Sequence, residues 1–88
     1  MLDNVTPSPA HRIGALVTEI LARRGHRDAL PADAELARLG LTSIDMVEVM
    51  LGVESEFDLA IPPRDITLDN FRSVNAIAGL VGRLAHLA

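Results

Sequence analysis

Ile13, Leu16, Val17, Ile20 and Leu21 fall at i, i+3, i+4, i+7 and i+8, and a matching stripe returns near the other end of the chain in Val74, Ile77, Leu80, Val81 and Leu84. Residues spaced this way share one face only in a helix. Punctuation at their ends agrees. Ser8-Pro9 reads as a cap followed by proline at the first helical position, Gly25 stops the first helix, and Ser73 caps the last. Helical stripes and caps of this kind lead to the expectation of an all-α fold. Nearly half of the residues are apolar, yet only Phe57 and Phe71 are aromatic. The core must therefore be built from Leu, Ile, Val, Ala and Met.

Between these stripes lie a long connection over residues 26–41, with Leu36 and Leu39 dipping into the core, and a second helix expected over Ser43–Phe57. The length of that connection hints at function or at a short turn inside it. Residues 58–65 read as loop, because Pro62-Pro63 works against regular structure there. Thr67 is placed to cap a short helix over Leu68–Phe71. Residues 1–7 read as a flexible lead and residues 8–88 as one small domain.

Net charge is −4, from 12 acids against 8 arginines and no lysine, which disfavours nucleic acid as the main partner. There is no cysteine, hence no disulfide framework and no thiol of the chain's own. No apolar run reaches membrane-spanning length, and Met1-Leu2-Asp3-Asn4-Val5 lacks the pattern of a secretory signal. The expectation is a cytoplasmic monomer that engages neither nucleic acid nor membrane. His11, His26 and His86 are scattered without helical partners, so no metal site is expected.

The chemistry concentrates in Leu39-Gly40-Leu41-Thr42-Ser43-Ile44-Asp45-Met46. Thr42 is the N-cap of the second helix and Asp45 completes a capping box. Ser43 then sits at the first helical position with a hydroxyl that capping does not need. A helix start offers unpaired N–H groups and the positive end of the helix dipole, which suits a covalently attached phosphate. By itself a Thr-Ser pair before an apolar run is more often a plain cap. No neighbouring residue could serve Ser43 as a general base, so a serine-hydrolase reading fails and Ser43 is better read as a substrate of another enzyme.

The second helix carries two apolar stripes. Met46, Val49, Met50, Val53 and Phe57 follow core spacing, whereas Ile44, Val47 and Leu51 lie on another face. Either the helix is central and buries both, or the second stripe stays exposed beside Ser43 as a docking surface. Asp45 and Glu48 lie near that stripe and could pair with basic residues of a partner. Met46 and Met50 read as adaptable core filler, or more weakly as the lining of a space for a bound acyl chain.

The order of features from Ser43 onward resembles the acyl and peptidyl carrier proteins. An apolar helix closes in Glu56-Phe57-Asp58, Ile61-Pro62 ends the loop, and Phe71-Arg72-Ser73-Val74 opens the last helix; upstream, Ala34, Leu36 and Leu39-Gly40 fit as well. The resemblance covers residues 9–87. It implies a four-helix antiparallel bundle with a short third helix, and a 4′-phosphopantetheine arm attached to Ser43. A phosphopantetheinyl transferase would move the arm from coenzyme A, with magnesium held mainly by the transferase. The domain would catalyse nothing. It would hold an acyl or aminoacyl group as a thioester, received from an adenylating ligase or acyltransferase and passed to a condensing or transferring enzyme. In the family, positions matching Ile44, Val47 and Leu51 contact partner enzymes, and Thr42, Ile44, Asp45, Val47, Glu48 and Leu51 are the expected docking residues here.

Two departures stand out. The family's usual Asp before the serine is Thr42 here, and its usual Leu after it is Ile44. The longer stretch from Pro63 to Asn70 and the mild acidity look like discrete carriers of amino acids or specialised acyl units, in secondary-metabolite assembly or serving ligases. The alternatives are a housekeeping fatty-acid carrier and a helical adaptor that carries no cargo.

Overall fold

The computed structural model describes residues 8–87. Three helices, α1 (Pro9–Arg23), α2 (Ser43–Phe57) and α3 (Val74–Leu87), are joined by segments that each contain one 3-10 turn, Leu36–Leu39 in the first and Pro63–Asp65 in the second. Among the described residues there is no strand. The expected seven-residue lead lies outside the described residues.

Capping explains the boundaries. The Ser8 side chain accepts from His11 N, and Pro9 occupies the first turn of α1, where its missing N–H costs nothing. Gly25 follows α1 at φ +88°, a left-handed conformation natural to glycine. Ser73 Oγ accepts from Ala76 N at 3.0 Å and starts α3. At the far end of α2, Asp58 adopts φ 51°, and the N–H groups of Asp58 and Leu59 both return to the Glu54 carbonyl.

α1 is the central helix, packing against both α2 and α3. Its buried stripe of Ile13, Val17, Ile20 and Leu21 meets Val49 and Val53 of α2 and Val74, Ile77, Leu80 and Val81 of α3. Leu36, Leu41, Ile61 and Phe71 close the core from the connections. At Gly52 a Cβ would stand 2.7 Å from Leu16 Cδ2, so α2 lies on α1 closely enough that only a hydrogen fits without displacing Leu16. The 26–41 connection is tethered rather than loose: Leu36 N donates to Arg72 O at 2.9 Å, and Asn75 N donates to Ala32 O at 2.8 Å.

Two local expectations need correction. The short helix expected over Leu68–Phe71 is a turn. Thr67 does cap it, accepting from Asn70 N on its hydroxyl and from Phe71 N on its carbonyl, both at 3.2 Å. The chain must then leave, because the Arg72 carbonyl is committed to Leu36 and Ser73 is the cap of α3. One turn is too little to repay helix nucleation. Among the described residues there are therefore three α-helices where four were expected. The residues 58–65, expected as plain loop, include the 3-10 turn Pro63–Asp65. Proline is tolerated at its first position, and Asp65 N and Ile66 N close it on the carbonyls of Pro62 and Pro63.

Candidate functional site at the start of the second helix

Ser43 is the first residue of α2 and is exposed. The loop before it ends with Gly40 at φ +100° and buried Leu41, which anchors the approach to the helix. Thr42 is the cap. Its Oγ1 accepts from Asp45 N at 3.2 Å, while Asp45 Oδ2 accepts from Thr42 N at 2.9 Å, so the capping box is complete. The serine hydroxyl is not consumed by capping. Helix geometry leaves the N–H groups of Ser43 and Ile44 outside the intrahelical ladder, at the positive end of the dipole.

Asp45 is 4% exposed. Its other oxygen, Oδ1, accepts from Arg24 Nη2 at 2.7 Å and from Arg24 Nε at 3.3 Å. The Arg24 guanidinium first, and then the Thr42 backbone N–H, hold this carboxyl below the usual carboxylate range, with burial acting in the opposite sense. Glu48, one turn on, is bonded by Arg23. Both arginines are held more firmly in their charged form by these carboxylates. Asp45 is thus buried and fully engaged inside the chain. The expectation that it offers its charge to a partner is corrected: its work is to fix the cap. Glu48 stays part-exposed, but it too has a partner in the chain.

The second apolar stripe of α2 is on the surface. Ile44 is 79% exposed, Val47 52% and Leu51 55%. The alternative that α2 buries both stripes fails because α1, not α2, is the helix covered on two sides. On the other side of Ser43, a cleft of about 290 Å³ runs between α2 and the 66–71 segment. Met46, Val47, Met50, Ile66, Thr67, Leu68 and Phe71 line it with Ser43 at its edge. Leu68 is 91% exposed at the rim, and Ile66 is exposed beside it.

Sequence reasoning missed Ile66 and Leu68 as part of this surface. The signal that could have found them is a pair of large aliphatics, two apart, in a segment too short and too proline-bound to bury them. Thr42, Ile44, Val47, Glu48 and Leu51 are all exposed or part-exposed around Ser43. Among the described residues no group of three His, Asp or Glu could hold a metal ion, and no helix is long and apolar enough to cross a membrane.

Residues 12–81 match the model of the phosphopantetheine attachment site family. Aminoacyl carrier protein 1 of Bradyrhizobium diazoefficiens is 45% identical over 71 residues, covering 81% of this chain and 79% of that protein. Solved structures match at chain level as well. One chain of the crystal structure of Bradyrhizobium japonicum glycine:carrier-protein ligase complexed with glycylated carrier protein is 44% identical, with a TM-score of 0.69; the match covers 81% of this chain and 96% of that one. A chain of the same ligase's complex with cognate carrier protein and an analogue of glycyl adenylate is 40% identical, with a TM-score of 0.68, covering 90% of this chain and 97% of that one.

Proposed function

This chain belongs to the phosphopantetheine attachment site family, and we propose that it is a discrete aminoacyl carrier protein whose 4′-phosphopantetheine arm is attached at Ser43. The observation that carries Ser43 is its place: an exposed hydroxyl at the first position of α2, released from capping duty by Thr42. The residues around it fit the group. Free N–H groups and the helix dipole favour a phosphodiester there, and the apolar cleft beside it offers a wall for the arm's aliphatic part. Bound, the arm supplies a terminal thiol that holds cargo as a thioester.

The chain's own residues prepare the acceptor. Arg24, Asp45 and Thr42 fix the helix start, so the Ser43 hydroxyl is presented in one position to the transferase. During modification the hydroxyl gives its proton to that enzyme and forms a bond to phosphorus, and the pyrophosphate bond of coenzyme A breaks to release adenosine 3′,5′-bisphosphate. The domain catalyses no step. Its contribution is tethering, which raises the effective concentration of cargo at each docked enzyme.

The loading partner is an adenylating aminoacyl ligase. The support is the identity with aminoacyl carrier protein 1 and with chains of the glycine:carrier-protein ligase complexes. Ile44, Val47 and Leu51, joined at the rim by Ile66 and Leu68, form the surface on which the ligase, the transferase and a downstream transferring enzyme dock in turn. The chain works as a cytoplasmic monomer. Its mild acidity favours specialised biosynthesis over fatty-acid synthesis as the setting. The test is competitive loading. Offered to an ATP-dependent aminoacyl ligase and to a malonyl transferase of fatty-acid synthesis, the pantetheinylated protein is expected to gain an amino acid and little malonate. Efficient malonyl loading with no aminoacyl product contradicts the aminoacyl assignment.

A further inference from the structure

The first two turns of α2 carry two acids beside the attachment serine, and both are answered from within the chain. Arg23 bonds Glu48, and Arg24 bonds Asp45 at 2.7 Å. The two arginines are consecutive, the last residue of α1 and its C-cap, and they reach the same stretch of α2. Together with Ile20 and Ile44 these four side chains line one surface concavity. What faces solvent there is unequal: the Asp45 side chain is 6% exposed, those of Arg23 and Arg24 are 59% and 47% exposed, and that of Glu48, paired with Arg23, is 47% exposed. A protein approaching Ser43 from this side meets Ile44, Val47, the outer edges of two guanidinium groups and one arginine-paired carboxylate. The sequence reads as acidic near Ser43; on the folded surface one of the two acids is buried and the other is paired.

We propose that Arg23 and Arg24 are specificity determinants of the carrier: by neutralising Glu48 and Asp45 they give the Ser43 face an apolar centre and a cationic edge, which admits enzymes with apolar, neutral-to-acidic docking surfaces and turns away enzymes whose docking surface is rich in lysine and arginine. The proposal rests on Ser43 as the attachment residue. Its physical basis is general. Charges at the edge of an interface set encounter rate and partner choice more than final affinity, and juxtaposed like charges disfavour a wrong partner. The Arg23–Glu48 pair, exposed on both sides, adds little to stability, so its retention is better explained by what it does to the surface.

The test replaces both arginines by glutamine. Arg23→Gln/Arg24→Gln keeps an N–H donor near each carboxylate and removes two positive charges. Each variant is presented to a phosphopantetheinyl transferase with a lysine- and arginine-rich docking surface, and kcat and KM for the carrier are measured from about 50 mM to about 500 mM NaCl, a range over which screening of exposed charges changes greatly. The double variant is expected to lower KM about three- to tenfold at low salt, with the gain lost at high salt; for Arg23→Gln alone, which leaves the Arg24–Asp45 pair and the cap intact, kcat stays at the parent's value. Arg23→Lys/Arg24→Lys, which keeps the charges, should behave as the parent protein. Should the double variant fold poorly, Arg23→Gln alone touches only the exposed pair and should give a salt-sensitive gain of about two- to threefold. A glutamine variant with the parent's KM at both salt concentrations overturns the proposal, as does a gain that the lysine variant shares. If mass spectrometry finds no addition to Ser43 in the parent protein, the carrier reading itself fails and this proposal falls with it.

Discussion

The two faces of α2 have nearly the same composition and opposite fates. Val49 and Val53 are fully buried against α1, while Val47 and Leu51, two positions away, stand half in water. Hydrophobicity alone does not separate them. What does is the central place of α1, which takes α2 on one side and α3 on the other and leaves the outer stripe of α2 uncovered. One stripe is spent on stability. The other is left beside an exposed serine, where we propose that it serves contact with enzymes that must dock, act and leave. The same helix thus carries both part of the core and the proposed working surface.

That contrast can be broken most forcefully by one substitution made on each face. Val53→Asp buries a carboxylate without a partner and should destabilise by about 4–5 kcal/mol, enough to unfold much of a small domain. Val47→Asp should change stability by no more than about 0.5 kcal/mol, yet slow transfer from the ligase by placing a charge in an apolar contact. Thermal melts with loading assays check both. Equal unfolding by the two would mean that both faces are buried in solution.

Phe57→Ala sharpens the boundary between the faces. Phe57 follows core spacing but is only half-buried, with the Arg12 guanidinium 4.3 Å from its ring centroid. A fully buried phenylalanine would cost about 3–5 kcal/mol on truncation. Here about 2 kcal/mol is expected, cavity loss and the cation–π contact together, measured by denaturant unfolding. A larger loss would put Phe57 with Val49 and Val53 in the core.

Asp45 supplies a smaller, pH-dependent effect on the side facing Arg24. Its folded pKa lies below its unfolded value of about 3.9. Its contribution is therefore present above about pH 4 and lost as pH falls through the depressed folded value. Asp45→Asn should lower the melting temperature at pH 7, and the gap to the parent protein should narrow as the pH drops below about 4. A gap that stays constant with pH would mean the carboxylate's charge is not what holds the cap.

Much of this was legible before the fold was known, and the limits are instructive. The caps Ser8, Thr42 and Ser73, the α2 span Ser43–Phe57 and the existence of a second apolar stripe all follow from patterns within one or two helical turns, whereas the exposure of that stripe depends on which helix is covered on two sides. The capping box of Asp45 follows as well, but its burial and its pairing with Arg24 did not, because Arg24 lies 21 residues away and no local pattern joins them. Nor did the turn at Leu68–Phe71, where the claim of Leu36 on the Arg72 carbonyl decides against a helix. Ile66 and Leu68 were missed for a similar reason: whether a loop aliphatic is buried depends on what the rest of the chain has already covered.

The central claim is that Ser43 is the residue that bears the arm. Intact-mass measurement after incubation with coenzyme A, magnesium and a broad-specificity phosphopantetheinyl transferase tests it most directly. A gain of one phosphopantetheine per chain in the parent protein, and none in Ser43→Ala, is the expected result. An unchanged mass in the parent protein, or an adduct that survives Ser43→Ala, would contradict it and favour a helical adaptor that carries no cargo.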